Sequence, residues 1–311
     1  MQESRESIDT EPIPPTGGDP LPQPETLYDR NENEDQAEPV IQGPDLYAAE
    51  YKTYPEPGHA VIINNRKFTD LPDREGTDKD AANLLNRFNE FGFHTRLICD
   101  KSRHELLEEL KNIARMDHTE HSTFFCTFLT HGNERGIWAT DSQIKMNELS
   151  DIFDAKNCPT LINKPKIFLM QACRGNDDVH AATIRVLNPQ AEHVAADTMP
   201  DEPEEMEVQE VEEPASIDIL TVPTIMDFLF IYSTVEGKKA YRNTAMGTPF
   251  IAKFCEELEF LLHNKGEDDI YTLLNRVNLS VAIKFQAHDG GKQMPCFVST
   301  LTKTFKLKAP Q

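Results

Sequence analysis

Two residues of opposite chemical character stand at the ends of apolar runs. The run Ser122-Thr-Phe-Phe-Cys-Thr-Phe-Leu-Thr130 leads directly into His131-Gly132, and Lys166-Ile-Phe-Leu-Met-Gln-Ala172 leads into Cys173-Arg174-Gly175. A thiolate is a strong nucleophile near neutral pH, and a nearby imidazole can stabilise it and later protonate a leaving group. The glycine close to each lets a backbone N–H approach a reacting oxygen, as an oxyanion hole requires. Both runs are apolar on both faces, the pattern of buried parallel strands, and in open α/β sheets ligands bind just beyond the carboxyl ends of such strands. Taken alone, the same residues also fit a packed core thiol and a solvated loop histidine.

The elements that must position them can be read from hydrophobic periodicity. An apolar run at Ala60–Ile63 predicts a first strand. A helix over about 80–91 places Ala81, Leu84, Leu85, Phe88 and Phe91 on one face, with Thr77 or Asp78 as its cap. Residues 93–99 read as a strand and 103–115 as a helix; a small hairpin at 136–139 and a helix near 147–154 separate the His131 and Cys173 strands. Phe228–Ser233 predicts another strand, 250–262 and 270–285 two helices, and 295–301 a last strand. Strand and helix in alternation predict an α/β fold with a mostly parallel sheet covered on both faces.

Charge divides the chain into folded and unfolded parts. Of the formal net charge of -22, residues 1–50 supply 13 acids against 2 bases, and residues 190–216 supply 10 acids and no base. The first segment also holds eight prolines, a composition unable to bury enough apolar surface to offset chain entropy. It reads as a disordered acidic leader over 1–45, too short for a helical adaptor domain, with order beginning near Tyr54. The second interrupts a compact pattern and reads as an exposed, cleavable linker over 176–220, separating folded units at 46–175 and 221–311. An acidic excess argues against nucleic acid and anionic membrane as partners. No apolar run reaches the ~20 residues of a membrane span and no signal-peptide pattern is present, which predicts a cytoplasmic protein. The six cysteines contain no C-x-x-C pair, so free thiols are expected and neither a disulfide framework nor a zinc site. His118-Thr-Glu-His121 lies in a polar stretch and reads as a solvated connection.

Longer segments carry a resemblance. Gln171-Ala-Cys-Arg-Gly175 resembles the nucleophile signature of the caspase family. The same order of segments continues in YPEPGHAVIINNRKF (54–68), REGTDKDAANL (74–84), His131-Gly132, Lys164-Pro-Lys166, DFLFIYST (227–234), Tyr241-Arg-Asn243 and KQMPC (292–296). The resemblance covers about 54–175 and 222–306. It implies a three-layer sandwich with about six central strands, and an endopeptidase that cuts after Asp without metal or cofactor. By motif match it makes Cys173 the nucleophile and His131 the general acid/base, oriented by a backbone carbonyl near Pro72. The N–H groups of Gly132 and Cys173 would form the oxyanion hole. Arg74, Gln171 and Arg242 would form the pocket for the target Asp, since guanidinium forks suit a carboxylate where lysines would not. Ala240, Tyr241 and Asn243 would line the substrate groove.

The resemblance further implies a zymogen of executioner type acting in apoptosis, a homodimer of large/small subunit pairs joined through the edge strand near 293–301, an upstream activating protease and inhibitor proteins. In the linker Asp197, followed by the small Thr198, is the best processing site, ahead of Asp201 and Asp218; in the leader the choices are Asp9, Asp29 and Asp45. The sequence departs from executioner relatives at Lys238-Lys239-Ala240, where aromatic residues are common, and at Pro249, where Trp is usual. Lys239 either meets an acidic or polar side chain beside the target Asp or points into solvent. The alternative function is a catalytically silent relative that binds and regulates an active caspase; retention of all five central residues counts against it.

Overall fold

The computed structural model describes residues 43–182, 221–264, 267–288 and 290–308. Its elements run in the order α1 (Gly43–Tyr47), β1 (Glu56–Asn64), α2 (Thr77–Glu90), β2 (His94–Cys99), α3 (Arg103–Ala114), β3 (His121–Leu129), β4 (Gly132–Asn133), β5 (Gly136–Trp138), β6 (Gln143–Ile144) and α4 (Met146–Ile152). A 3-10 turn at Pro159–Leu161 leads into β7 (Lys166–Gln171), followed by β8 (Phe228–Tyr232), α5 (Pro249–His263), α6 (Ile270–Lys284) and β9 (Cys296–Ser299). The main sheet has six strands in the order β2-β1-β3-β7-β8-β9, parallel except for the β8–β9 pair.

Side chains alternate across this sheet into two cores. Ala60, Ile62, Phe125, Leu129, Ile167 and Leu169 point to one face and meet Leu84, Phe88, Phe254, Leu258, Leu273 and Val277 of α2, α5 and α6. Val61, Ile63, Phe124, Phe128 and Phe168 point to the other and meet Leu106, Leu110 and Leu149 of α3 and α4. All six residues of β7 are buried, which is why its sequence shows no polar alternation. The expected three-layer α/β/α sandwich is the fold observed.

Several local expectations change. Order starts before Tyr54: Tyr51 is buried against Phe305, and its hydroxyl donates to Asp227 at 2.6 Å. Burial and that carboxylate push the Tyr51 hydroxyl well above its ordinary pKa. Tyr51→Phe removes a buried hydrogen bond to an acid, an expected cost of about 1.5–3 kcal/mol that a urea titration would show as a lower midpoint at unchanged slope. The leader boundary expected at residue 45 falls inside α1, and Asp45 there pairs with Lys52 at 2.9 Å. Neither Thr77 nor Asp78 caps α2; its N-cap is Gly76, in the left-handed region at φ 86°. The expected hairpin is a three-stranded sheet, β4-β5-β6.

The chain end past β9 returns to the core, where Phe305 and Leu307 are buried and Thr304 pairs with Ala49 and Tyr51. It leaves β9 as the terminal strand of the sheet, with Val298 exposed. His118 and His121 are not solvated: both are buried, His118 against the Ile113 carbonyl and both against the His59 ring. All six cysteines are free thiols. Among the described residues, no helix is long and apolar enough to cross a membrane.

Candidate active site

The parallel pairing of β3 and β7 sets Leu129 opposite Gln171. His131 and Cys173 each stand two residues beyond that pair, so sheet register alone delivers an imidazole and a thiol to the same edge at the same height. Thr130 N–H donates to the Gln171 carbonyl at 3.2 Å and holds the two strand ends together, while Trp138 N–H of β5 donates to the His131 carbonyl at 2.9 Å. Gly132 makes their approach possible: a Cβ there would lie 2.5 Å from the Cys173 carbonyl oxygen and 2.9 Å from Ala172 Cβ.

His131 Nε2 lies 2.8 Å from the Pro72 carbonyl oxygen. A carbonyl only accepts, so Nε2 carries the proton and Nδ1 keeps its lone pair. Burial lowers the pKa of this imidazole, the Pro72 carbonyl opposes that shift, and the positive charges of Arg74 and Arg242 add to it. At neutral pH His131 therefore rests uncharged, ready to accept a proton. The Cys173 sulfur receives the Ala240 N–H at 3.4 Å, and its own S–H points to the Ala240 carbonyl at 3.6 Å. The other five thiols are all pushed up by burial, Cys158 to about 11 and Cys255 to about 12.

Arg74 and Arg242 form a cationic pocket on the same edge. Arg74 is only 2% exposed, yet among the described residues it finds no acidic hydrogen-bond partner: Nη1 donates to Thr77 Oγ1 at 2.8 Å and to the Asn65 carbonyl at 3.3 Å. Burial, with Arg242 adding repulsion, lowers Arg74 to about 9, so it stays charged at neutrality but at a cost. Arg242 is more open and donates from Nε to the Glu75 carbonyl at 3.0 Å. Both feel the Cys173 sulfur electrostatically. Gln171 Oε1 is buried and finds no hydrogen-bond partner among the described residues; a half-turn of that amide presents N–H donors in its place. Two guanidiniums and an amide whose Oε1 has no partner among the described residues make a receptor for one buried carboxylate.

Residues that the sequence did not assign to the site hold this pocket. Thr77 is diverted from capping α2: its hydroxyl donates to Asn64 Oδ1 at 2.7 Å while accepting from Arg74. Asp80 lies under both arginines, and accepts the Thr248 N–H at 2.9 Å. Burial raises Asp80 to about 6 despite them. A carboxyl whose pKa is higher folded than unfolded stabilises most when both states are protonated, and that contribution is lost as pH rises through the folded value. Between about pH 4 and 6 the Asp80 contribution should thus fall by about 3 kcal/mol. Asp80→Asn removes this slope, so the difference between parent and variant in urea-denaturation stability should change by that amount over the window.

The substrate-groove candidates divide. Ala240 touches Cys173 through its backbone. Tyr241 donates its hydroxyl to Asp178 at 2.8 Å, its N–H to Gln293 Oε1 at 2.9 Å, and its ring packs on Phe285. Asn243 is committed to its own turn, its Oδ1 accepting from the N–H groups of Ala245 and Met246. Lys239 pairs with Asp178 at 3.1 Å while its side chain stays 42% exposed. The start of the linker is laid across this loop: Arg174 N–H donates to the Lys238 carbonyl, Asp177 N–H to that of Gly237 and Lys239 N–H to that of Asp177, all within 3.1 Å. Asp9, Asp29, Asp197, Asp201 and Asp218 lie outside the described residues.

A family model for the caspase domain matches residues 57–306. Caspase-3 of Felis catus is 34% identical over 259 residues, covering 80% of this chain and 83% of its own length. Caspase-6 of Mus musculus is 32% identical over 253 residues, covering 79% and 87%. The crystal structure of caspase-1 from Spodoptera frugiperda superposes with a TM-score of 0.71 at 29% identity, covering 88% of this chain and 98% of that one. Sequence, fold and the thiol, imidazole and cationic pocket gathered at one sheet edge agree: this chain belongs to the caspase family of cysteine endopeptidases.

Proposed function

We propose that the protein cuts polypeptides after Asp, with Cys173 as nucleophile and His131 as general acid/base. The observation that carries this reading is the pair of guanidiniums, one of them fully buried, held without a hydrogen-bonded acid among the described residues on the edge where the register sets His131 beside Cys173. A substrate Asp carboxylate in the Arg74–Arg242–Gln171 pocket places the following carbonyl carbon at the sulfur. His131 takes the thiol proton, the thiolate adds to that carbon, and the backbone N–H groups of Gly132 and Cys173 receive the oxyanion. The proton then passes to the leaving amine as the C–N bond breaks. Water, deprotonated by His131, releases the acyl group and restores the thiol.

The same reading makes the single chain a precursor, processed within the 176–220 linker, with Asp197 the favoured site. Contacts of residues 174–178 with the 237–241 loop support this, because they tie the groove to the intact linker. The open edge of β9 is the proposed seam of a homodimer, since an unpaired strand edge is a template for pairing with a second copy. Cytoplasmic location, an apoptotic role, an upstream activating protease and inhibitor proteins belong to the same proposal.

Limited alkylation with mapping by mass spectrometry tests the reading. Cys173 should label at least about tenfold faster than the other five cysteines, whose thiols burial holds protonated, and a peptide aldehyde ending in Asp should protect it. Uniform slow labelling of all six would contradict the proposal and favour a regulatory, non-catalytic protein.

A further inference from the structure

At the opposite, amino-terminal ends of the strands the sheet gathers a second chemical cluster. Parallel register sets His59 beside His94, and Glu56 beside His121. His118, from the connection between α3 and β3, completes the group. Nine residues of β3 separate it from the catalytic edge, about 30 Å at strand rise.

The polar partners select a tautomer for each neutral imidazole. His118 Nε2 is 2.9 Å from the Ile113 carbonyl oxygen and must donate to it, which leaves a lone pair on Nδ1. His121 Nε2 is 3.2 Å from the Glu56 carboxylate, an acceptor, so in the neutral imidazole its Nδ1 also carries a lone pair. Those two Nδ1 atoms face each other at 3.1 Å. Two buried lone pairs at that distance repel unless a proton or a metal cation lies between them. Two imidazole nitrogens on one tetrahedral Zn2+ are about 3.3–3.4 Å apart, given Zn–N bonds of about 2.0–2.1 Å. His59 stands nearly perpendicular to both rings, with ring centroids 5.0 Å from His121 and 5.6 Å from His118, and one nitrogen of each of the three rings lies within 4.8 Å of the others. A small rotation of half-exposed His59 closes the set.

We propose that His59, His118 and His121 bind one divalent transition-metal ion of the zinc class, with a fourth position left for water. The supporting groups are those that ligating histidines commonly have: a backbone carbonyl on His118 and a carboxylate on His121, each holding the far ring nitrogen. Glu56 also accepts from His94 at 2.8 Å, which keeps His94 outside the coordinating set as an anchor for that carboxylate. Lys164, the nearest cation, spends its ammonium on the His118 and Thr119 carbonyls at 2.6 Å each. An all-imidazole set suits Zn2+ over Ca2+ or Mg2+, which take oxygen ligands. The ion would clamp β1, β3 and the α3–β3 connection together, away from the peptidase site.

Co2+ titration of full-length Cys173→Ala protein, stripped with chelator, tests this without the catalytic thiol as a competing ligand. One equivalent should bind with visible d–d absorption and no sulfur-to-cobalt charge-transfer band, Zn2+ should displace it, and Zn2+ should raise Tm. His59→Gln, at a half-exposed position, should weaken binding at least tenfold while its chelator-treated Tm matches the parent, and His121→Gln should abolish binding. His94→Gln should change affinity less than tenfold. Absence of saturable Co2+ absorption would overturn the proposal and leave a shared proton between His118 and His121. Undiminished binding in His59→Gln, or loss of binding in His94→Gln, would overturn the ligand set.

Discussion

Cys173→Ala is expected to lower kcat/KM for an Asp-containing peptide by at least about 10^4-fold in protein nicked within the linker, with Tm essentially unchanged. The size follows from the role proposed for the sulfur. It supplies the covalent route, and without it only binding and oxyanion stabilisation remain. The small effect on stability follows from its surroundings: Cys173 is half-exposed at a strand end and its contacts are to the Ala240 backbone, so little apolar area is lost. Steady-state hydrolysis on active-site-titrated enzyme, with a thermal melt of the same samples, checks both halves. A loss of less than tenfold would remove Cys173 from the chemistry.

Arg242→Gln should cost about 10^2- to 10^4-fold in kcat/KM for the Asp peptide, and Arg74→Lys about as much. Removing one partner of a desolvated charge pair is worth about 3–5 kcal/mol, and the remaining carboxylate is then left under-compensated. Lys cannot restore the fork geometry of a guanidinium, although it keeps the charge. Arg242 is the cleaner position, because it is partly open and its Nε contact is to the Glu75 carbonyl; Arg74 is woven into Thr77 and Asn65. For both variants the loss should be far smaller with an Asn peptide, so the Asp/Asn ratio collapses toward one. Equal losses on both peptides would mean that these arginines support the fold and do not read the carboxylate.

The legible parts of this protein are those whose physics is local. β3 and β7 are buried on both faces, so each shows as an unbroken apolar run, and the residues just past each run identify the reactive edge. The amphipathic helices α2, α3 and α5 show as periodic faces for the same reason. What escaped were residues whose roles arise only from pairing across the chain. Thr77 looks like a cap, but the close approach of Asn64 and Arg74 captures its hydroxyl and leaves the N-cap to Gly76. Lys239 is neutralised by Asp178 from 61 residues away. The polar stretch 118–121 looked solvated because composition cannot show that β1 and β3 will set Glu56 against His121. The resemblance to caspases supplied Pro72 and Arg242, which no periodicity marks; the structure places one 2.8 Å from the imidazole and the other in the cationic pocket.

The most direct measurement is hydrolysis of matched fluorogenic peptides that differ only in Asp or Asn before the scissile bond, by linker-nicked protein, with Cys173→Ala as control. Asn keeps the shape of Asp and removes its charge, so the pocket's two guanidiniums would be left unpaired. The account predicts turnover of the Asp peptide at least about 10^3-fold above the Asn peptide, and none in the control. Equal turnover of the two peptides, or none by a nicked protein confirmed to be folded, would contradict it.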